Sequence, residues 1–247
     1  MSLTYRSADC DTYRMDYNNP FVELETPANE EAVVEGVLLQ CVAAGILPHA
    51  HYDRAQFATF RRTIQEQFEI PWTAITPRMQ RLIWAINAII QPQNMIAAGV
   101  FCGNTFISNA GAGVGPSAVY AARNLIGVEI KPEEAERAER NVRRIDPTGV
   151  ARVVAADAVE IVTQFKEPIN LLYLDADGAG GRGKGVYLDI LEAGLDRLPT
   201  GSVVLAHNSV NCAEKLSYYL EYVRDPANFK ASVNVIFDVE GLEVSVR

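Results

Sequence analysis

No two of the four cysteines, Cys10, Cys41, Cys102 and Cys212, form a Cys-x-x-Cys pair, so neither a disulfide framework nor a structural zinc site is expected. Free thiols in the reducing cytoplasm are the expectation. Basic runs are also missing. With 22 basic against 31 acidic residues and a net charge of −9, no segment can neutralise several phosphates, and nucleic acid is not an expected partner. No apolar stretch reaches transmembrane length, and the N-terminus lacks the charged-then-apolar layout of a signal peptide, so no membrane partner is expected. Histidine is scarce, with three in the chain. His49 and His51 lie two apart in a loop without an acidic partner at ligand spacing and read as surface residues, which leaves His207.

The 247 residues, 49% of them apolar, suffice for one large α/β core with a modest cap. Residues 1–30, rich in Tyr, Asp and Asn and broken by Pro20 and Pro27, read as an irregular arm or lid. Apolar spacing then predicts a helix from Asn29 to Gly45, a second over Tyr52–Glu69, and a third that Thr76 caps and Pro77 opens. The expected division is an arm and helical cap over residues 1–90 and a sheet domain over residues 91–247. After Gln91-Pro92 short apolar runs alternate with helical patterns over Pro132–Ile145, Ala158–Phe165, Val186–Leu198 and Cys212–Val223, which argues for βαβ units. The last two strands, Ser232–Asp238 and Leu242–Arg247, are joined too tightly to be parallel neighbours. A twisted seven-stranded sheet, parallel except for its last strand, with helices on both faces and a helical cap over its carboxyl edge, is predicted.

Four apolar runs end in glycine, a carboxylate or an amide, as buried strands do where they stop at a ligand crevice. Gly99-Val-Phe-Cys-Gly103-Asn104-Thr105 has glycines where backbone must turn sharply off a strand. Glu129, followed by Ile130, ends the next strand, where a carboxylate can accept from both ribose hydroxyls of an adenosine. Asp157, followed by Ala158, ends the third, placed to accept from an adenine amino group, to cap the following helix, or both. Asp175 ends the fourth, and His207-Asn208 the fifth. Gly178–Gly185 is dense in glycine; it reads as a mobile loop or a close backbone approach, with Arg182 or Lys184 able to meet a carboxylate. Among the aromatic residues, Phe101 and Tyr173 are positioned to face a sulfonium charge.

With these segments in this order, the chain over residues 76–247 resembles the class I S-adenosylmethionine-dependent methyltransferases, and more closely the small-molecule O-methyltransferases related to catechol O-methyltransferase. The resemblance implies a Rossmann-like doubly wound fold and S-adenosylmethionine as co-substrate. It implies that Gly99, Phe101, Gly103, Asn104 and Thr105 hold the methionine part, Glu129 and Ile130 the ribose, and Asp157 and Ala158 the adenine. It departs from the family at two places. Ala97-Ala98 replaces the acidic residue before the first glycine, for which Asn104 and Thr105 could compensate. The metal-dependent members use an aspartate after the fourth strand, an Asp-Asn pair after the fifth and a lysine base just beyond the first aspartate. Here Asp175 and His207-Asn208 fall on the ligand positions and Gly178 on the lysine's. Hard cations prefer oxygen ligands, so no divalent metal is expected.

The expected activity is methyl transfer to a small, biosynthetic molecule, with Asp175, His207 and Asn208 as the catalytic residues and a homodimer as a candidate assembly. The alternative is cyclisation of the cofactor's own aminobutyrate chain with release of methylthioadenosine, as in the azetidine-2-carboxylate synthases, which need neither the lost base nor a metal. A non-catalytic adenosyl-ligand binder stays open. Gly113-Val-Gly-Pro-Ser-Ala118 raises a nicotinamide or flavin enzyme, but eleven residues from Ala118 to Glu129 are short for the helix and strand that reading needs.

Overall fold

The structure is a computed structural model that describes residues 2–247. Its strands are β1 (Ser2–Arg6), β2 (Asn94–Ala98), β3 (Asn124–Glu129), β4 (Ala151–Ala155), β5 (Leu171–Leu174), β6 (Val203–His207), β7 (Ala231–Ile236) and β8 (Leu242–Val246). They form one sheet in the order β1-β7-β8-β6-β5-β2-β3-β4. Every neighbouring pair is parallel except those made by β8, which runs antiparallel to both β6 and β7. The antiparallel last strand is as predicted. The strand count is eight rather than seven, because the arm read as irregular begins with β1, aligned beside β7 with Leu3 opposite Val233 and Tyr5 opposite Val235.

The helices are α1 (Pro27–Ala43), α2 (Arg54–Gln67), α3 (Pro77–Ile90), α4 (Asn104–Ala110), α5 (Pro132–Ile145), α6 (Ala158–Gln164), α7 (Tyr187–Gly194) and α8 (Ser217–Arg224). Thr26 and Thr76 cap α1 and α3, each followed by proline in the first turn. In α5, Glu133 and Glu134 open the helix and Arg143 and Arg144 close it, which matches charge to the helix dipole at both ends. Two predicted helices are shorter than their apolar pattern. The one expected over Val186–Leu198 is α7 flanked by single 3₁₀ turns, and the one expected from Cys212 starts at Ser217 because the chain first passes through turns.

Strand residues alternate between two apolar clusters, as period-two side chains must. Met95, Ala97, Leu171, Tyr173, Val203 and Leu205 face one cluster, shared with residues of α1 to α5. Ile96, Ala98, Leu172, Leu174, Val204 and Ala206 face the other, shared with α6 to α8. The N-terminal helices therefore cover a face of the sheet, and it is the linker after α2 that reaches the carboxyl edge. Buried ions tie this layer together. Glu30 pairs with Arg61 and Arg81 at 2.7 and 2.5 Å, and Arg78 holds Asp9 and Glu25 of the arm. Among the described residues, no helix is long and apolar enough to cross a membrane.

Connectivity positions the site. From β2 the chain moves outward to β3 and β4, then returns to pair β5 on the other side of β2. Such a reversal opens a crevice at the carboxyl ends of the parallel strands.

Candidate active site

The chain leaves β2 through Gly99, whose φ of +79° suits glycine and whose Cβ, if present, would lie 2.5 Å from the backbone of Ala176. A side chain is excluded there, so the loop passes directly against the residue following Asp175. Gly103, at φ +90°, sits at the N-cap of α4. Between them Phe101 also takes a left-handed φ of 48°. Its amide donates to Glu129 Oε2 at 2.9 Å, while the Lys131 amide donates to Oε1 at 3.1 Å. Glu129 thus pins the glycine loop to the tip of β3 and retains further lone pairs for a ligand.

A cleft of about 800 Å³ lies over these strand ends, a volume suited to a nucleoside-sized ligand plus a small molecule. Gly99, Phe101, Asn104, Thr105, Glu129, Ile130, Asp157, Ala158, Asp175, His207 and Asn208 all line it. Two residues expected at the site do not. Gly103 supports the turn from behind, and Tyr173 is fully buried on the sheet face packed against the N-terminal helices, because side chains alternate and Asp175 lies beyond the last strand residue. Asp157 caps α6 through a 2.7 Å bond from the Val159 amide, so its capping role is realised whether or not it also meets a ligand.

At the opposite end of the cleft, Asp175 Oδ1 lies 3.4 Å from His207 Nδ1 and 2.8 Å from Lys184 Nζ. Burial works against all three charges, yet the attraction of each cation to the carboxylate outweighs it. The carboxyl of Asp175 is held below its ordinary pKa despite burial by Lys184 and His207. The imidazole is raised above its usual value despite burial by Asp175, and the ammonium is raised by Asp175 and Asp177 in the same way. Both ring nitrogens of His207 are buried without a hydrogen-bond partner among the described residues, so the contact with Asp175 is one of charge proximity. The Asp175 carboxylate lies on the Nδ1 side of the ring, which favours a proton there and leaves Nε2 as the acceptor nitrogen.

Asn208 takes a left-handed φ of 65°. Its amide nitrogen donates to Glu240 Oε2 at 2.8 Å and to Asn211 Oδ1 at 3.1 Å, and Tyr17 donates to the same glutamate at 3.0 Å. Among the described residues no three of His, Cys, Asp and Glu gather at metal spacing. The set Asp175, His207 and Asn208, with an ammonium already on the aspartate, does not fit a hard divalent cation.

Several site residues were not found by sequence reasoning. Trp72, 47% exposed, lines the cleft and packs on Phe101 with ring centroids 4.7 Å apart. Thr73 beside it accepts from Asn104 Nδ2 at 3.2 Å, leaving Asn104 Oδ1 buried and unpartnered. Both come from the linker Phe68–Thr76, whose apolar and proline content marked no element. Glu240 was likewise hidden in a loop, and Lys184 was named only as able to meet some carboxylate, without its partner.

Residues 96–209 match the family model described as "Methyltransferase domain". A catechol O-methyltransferase from Niastella koreensis is 22% identical over 145 residues, which cover 57% of this chain and 60% of the relative. The chain thus spans about 60% of the length of the curated relative it matches. The fold is similar to that of an O-methyltransferase from Streptomyces achromogenes involved in tomaymycin synthesis, solved with S-adenosylmethionine, at TM-score 0.56 and 17% identity over 79% of this chain and 90% of that one. It is similar also to an O-methyltransferase from Bacillus cereus solved with S-adenosylhomocysteine, at TM-score 0.56 and 14% identity over 80% and 92%.

Proposed function

We propose that this chain, whose residues 96–209 match a methyltransferase domain, transfers the methyl group of S-adenosylmethionine to an oxygen of a small molecule. The observation that carries this reading is one cleft with Glu129 and Asp157 at one end and the Asp175–His207 pair at the other. Glu129 suits the ribose hydroxyls, and Asp157 with Ala158 suits the adenine. The buried, unpartnered Asn104 Oδ1 suits the α-ammonium of the methionine part, for which Ala97-Ala98 offers no carboxylate. The ring faces of Trp72 and Phe101 favour the sulfonium charge.

In the transfer, a lone pair of the acceptor oxygen forms the new bond to the methyl carbon. The carbon–sulfur bond breaks and its pair stays on sulfur, giving neutral S-adenosylhomocysteine. The acceptor's hydroxyl proton passes to His207 Nε2, and Asp175 stabilises the imidazolium so formed. Because a desolvated cation and a nascent anion annihilate in this step, enclosure and alignment supply much of the acceleration.

The relatives support transfer rather than cyclisation of the cofactor's own chain. Incubating purified protein with S-adenosylmethionine, alone and with phenols and carboxylic acids, separates the two by mass spectrometry. S-adenosylhomocysteine formed only with an acceptor is expected, whereas methylthioadenosine and a four-membered cyclic amino acid from the cofactor alone would refute transfer. In the same preparation, Glu129→Ala is expected to weaken S-adenosylhomocysteine binding by about 1.5–3 kcal/mol, the worth of charged hydrogen bonds. Unchanged affinity by calorimetry would remove Glu129 from the ribose site.

A further inference from the structure

The glycine-rich wall of the cleft has a use beyond flexibility. The Gly178 amide donates to Gly183 O at 2.8 Å, and Gly180 and Gly181 take left-handed φ of 63° and 81° with open space around them. The segment therefore folds back on itself and returns the chain to the end of β5. What it returns is Lys184, whose ammonium lies 2.7 Å from the Asp175 carbonyl, 2.8 Å from its Oδ1 and 3.6 Å from Asp177 Oδ2. The lysine side chain is only 12% exposed, and it lines the cleft with Asp175 and His207. Gly178 occupies the place in sequence where the resemblance puts a lysine; the loop supplies one to that aspartate from six residues further on.

An ammonium carries three donors and no acceptor. Asp175 takes two of them through its carbonyl and carboxylate, and little remains for a divalent cation, which would have to displace the lysine or share one carboxylate with its positive charge. A metal ion with six or more coordination sites can hold two neighbouring oxygens of a ligand, whereas a point charge with one remaining donor holds a single oxygen.

We propose that Lys184 stands in for a divalent cation as a built-in charge, and that the site takes acceptors presenting one acidic oxygen, a phenolate or a carboxylate, rather than a vicinal pair of hydroxyls. The acceptor class rests on the methyl-transfer reading, while the internal cation does not. Lys184 and His207 flank Asp175, so an acceptor oxygen placed against both would give its proton to the imidazole and keep its negative charge beside the ammonium.

Two binding measurements on the full chain test this without turnover. Titration with Mn²⁺ alone, followed by the resonance of the free ion, is expected to show no uptake up to roughly 1 mM, the weak end of the range of built cation sites. Uptake that Asp175→Asn abolishes would overturn the proposal. With S-adenosylhomocysteine present, 4-nitrophenolate is expected to bind, read by the shift of its visible absorbance, and a chelator should leave binding unchanged. Lys184→Met should weaken it about tenfold or more, the value of one charge-assisted contact, and Lys184→Arg should restore most of it. Equal affinity in wild type and Lys184→Met, or dependence on added Mn²⁺, would overturn the proposal. Should Lys184→Met not fold, as judged by circular dichroism, Lys184→Gln replaces it. Failure of methyl transfer with these results intact would fault the reaction and leave the internal cation standing.

Discussion

Replacing His207 by asparagine is expected to lower kcat by about 10²–10⁴-fold, the usual worth of a positioned general base, while cofactor affinity is retained. The imidazole is enclosed by Asp175 and Lys184 from the end of β5 and its loop and by Asp238 after β7, and Tyr187 reaches the backbone carbonyl of His207. Burial favours its neutral form and Lys184 adds to that, but Asp175 and Asp238 prevail and the pKa is raised. A base must be neutral to accept a proton, so the rate should climb with pH through this raised value and level off above it. Asp175→Asn removes the largest raising influence. Its acid limb should move to lower pH while its plateau falls, because the ring loses its orienting partner. Stability should show the opposite dependence. A group whose pKa is raised by folding contributes most below its unfolded value, about 6.5, and loses that contribution as pH rises through the folded value. His207→Asn should therefore destabilise the chain more in mildly acidic solution than in alkaline solution. A pH–rate profile of Asp175→Asn superimposable on wild type would disprove the pairing.

How much of this was legible in the sequence depends on what each residue is tied to. Glu129, Asp157 and Asp175 were legible because each ends a buried apolar run, and the carboxyl end of a parallel strand is a fixed place in the fold. Gly99 was legible because a strand cannot turn over its neighbour with a side chain in the way. Tyr173 was misplaced for a related reason. The run Leu171–Leu174 is apolar throughout, as strands buried on both faces are, so it carries no alternation to say which face the ring takes. Strand β1 escaped notice because an edge strand needs no apolar run; its residues are exposed or half-buried, and its partner β7 is more than 220 residues away in sequence. Lys184 could be named as a charge in a glycine loop but not assigned to Asp175, since that depends on how the loop folds back. Trp72 belongs to a linker whose course is set by α2 and α3 together.

The arm that the sequence left without structure is expected to matter to stability, and Arg78→Ala should cost about 3–5 kcal/mol, the penalty for removing one partner of a buried ionic network. Arg78 sits in the first turn of α3 with its side chain 3% exposed. It holds both oxygens of Asp9 at 2.8 Å and both oxygens of Glu25 at 2.6 and 2.7 Å, donates to the Phe237 carbonyl at 3.0 Å, and stacks on the Tyr13 ring at 3.7 Å. One guanidinium thus fastens both ends of the arm to α3 and to the end of β7. Arg78→Lys keeps the charge but loses the planar fork, and should fall between wild type and alanine. The acid dependence has a definite sign. Hydrogen bonding to Arg78 lowers the Asp9 pKa to about 2, so its contribution is present above the unfolded value near 3.9 and is lost as pH falls through about 2. Asp9 is 48% exposed, so solvent screening keeps its own share small, and most of the loss should come from Glu25 and the orphaned carbonyl. The same arm donates from Tyr17 to Glu240, which holds Asn208 at the cleft, so loosening it should also raise the KM for the acceptor. Urea unfolding at neutral pH measures the first effect, and a loss under about 1 kcal/mol, the scale of an exposed pair, would show that the arm is not anchored through Arg78.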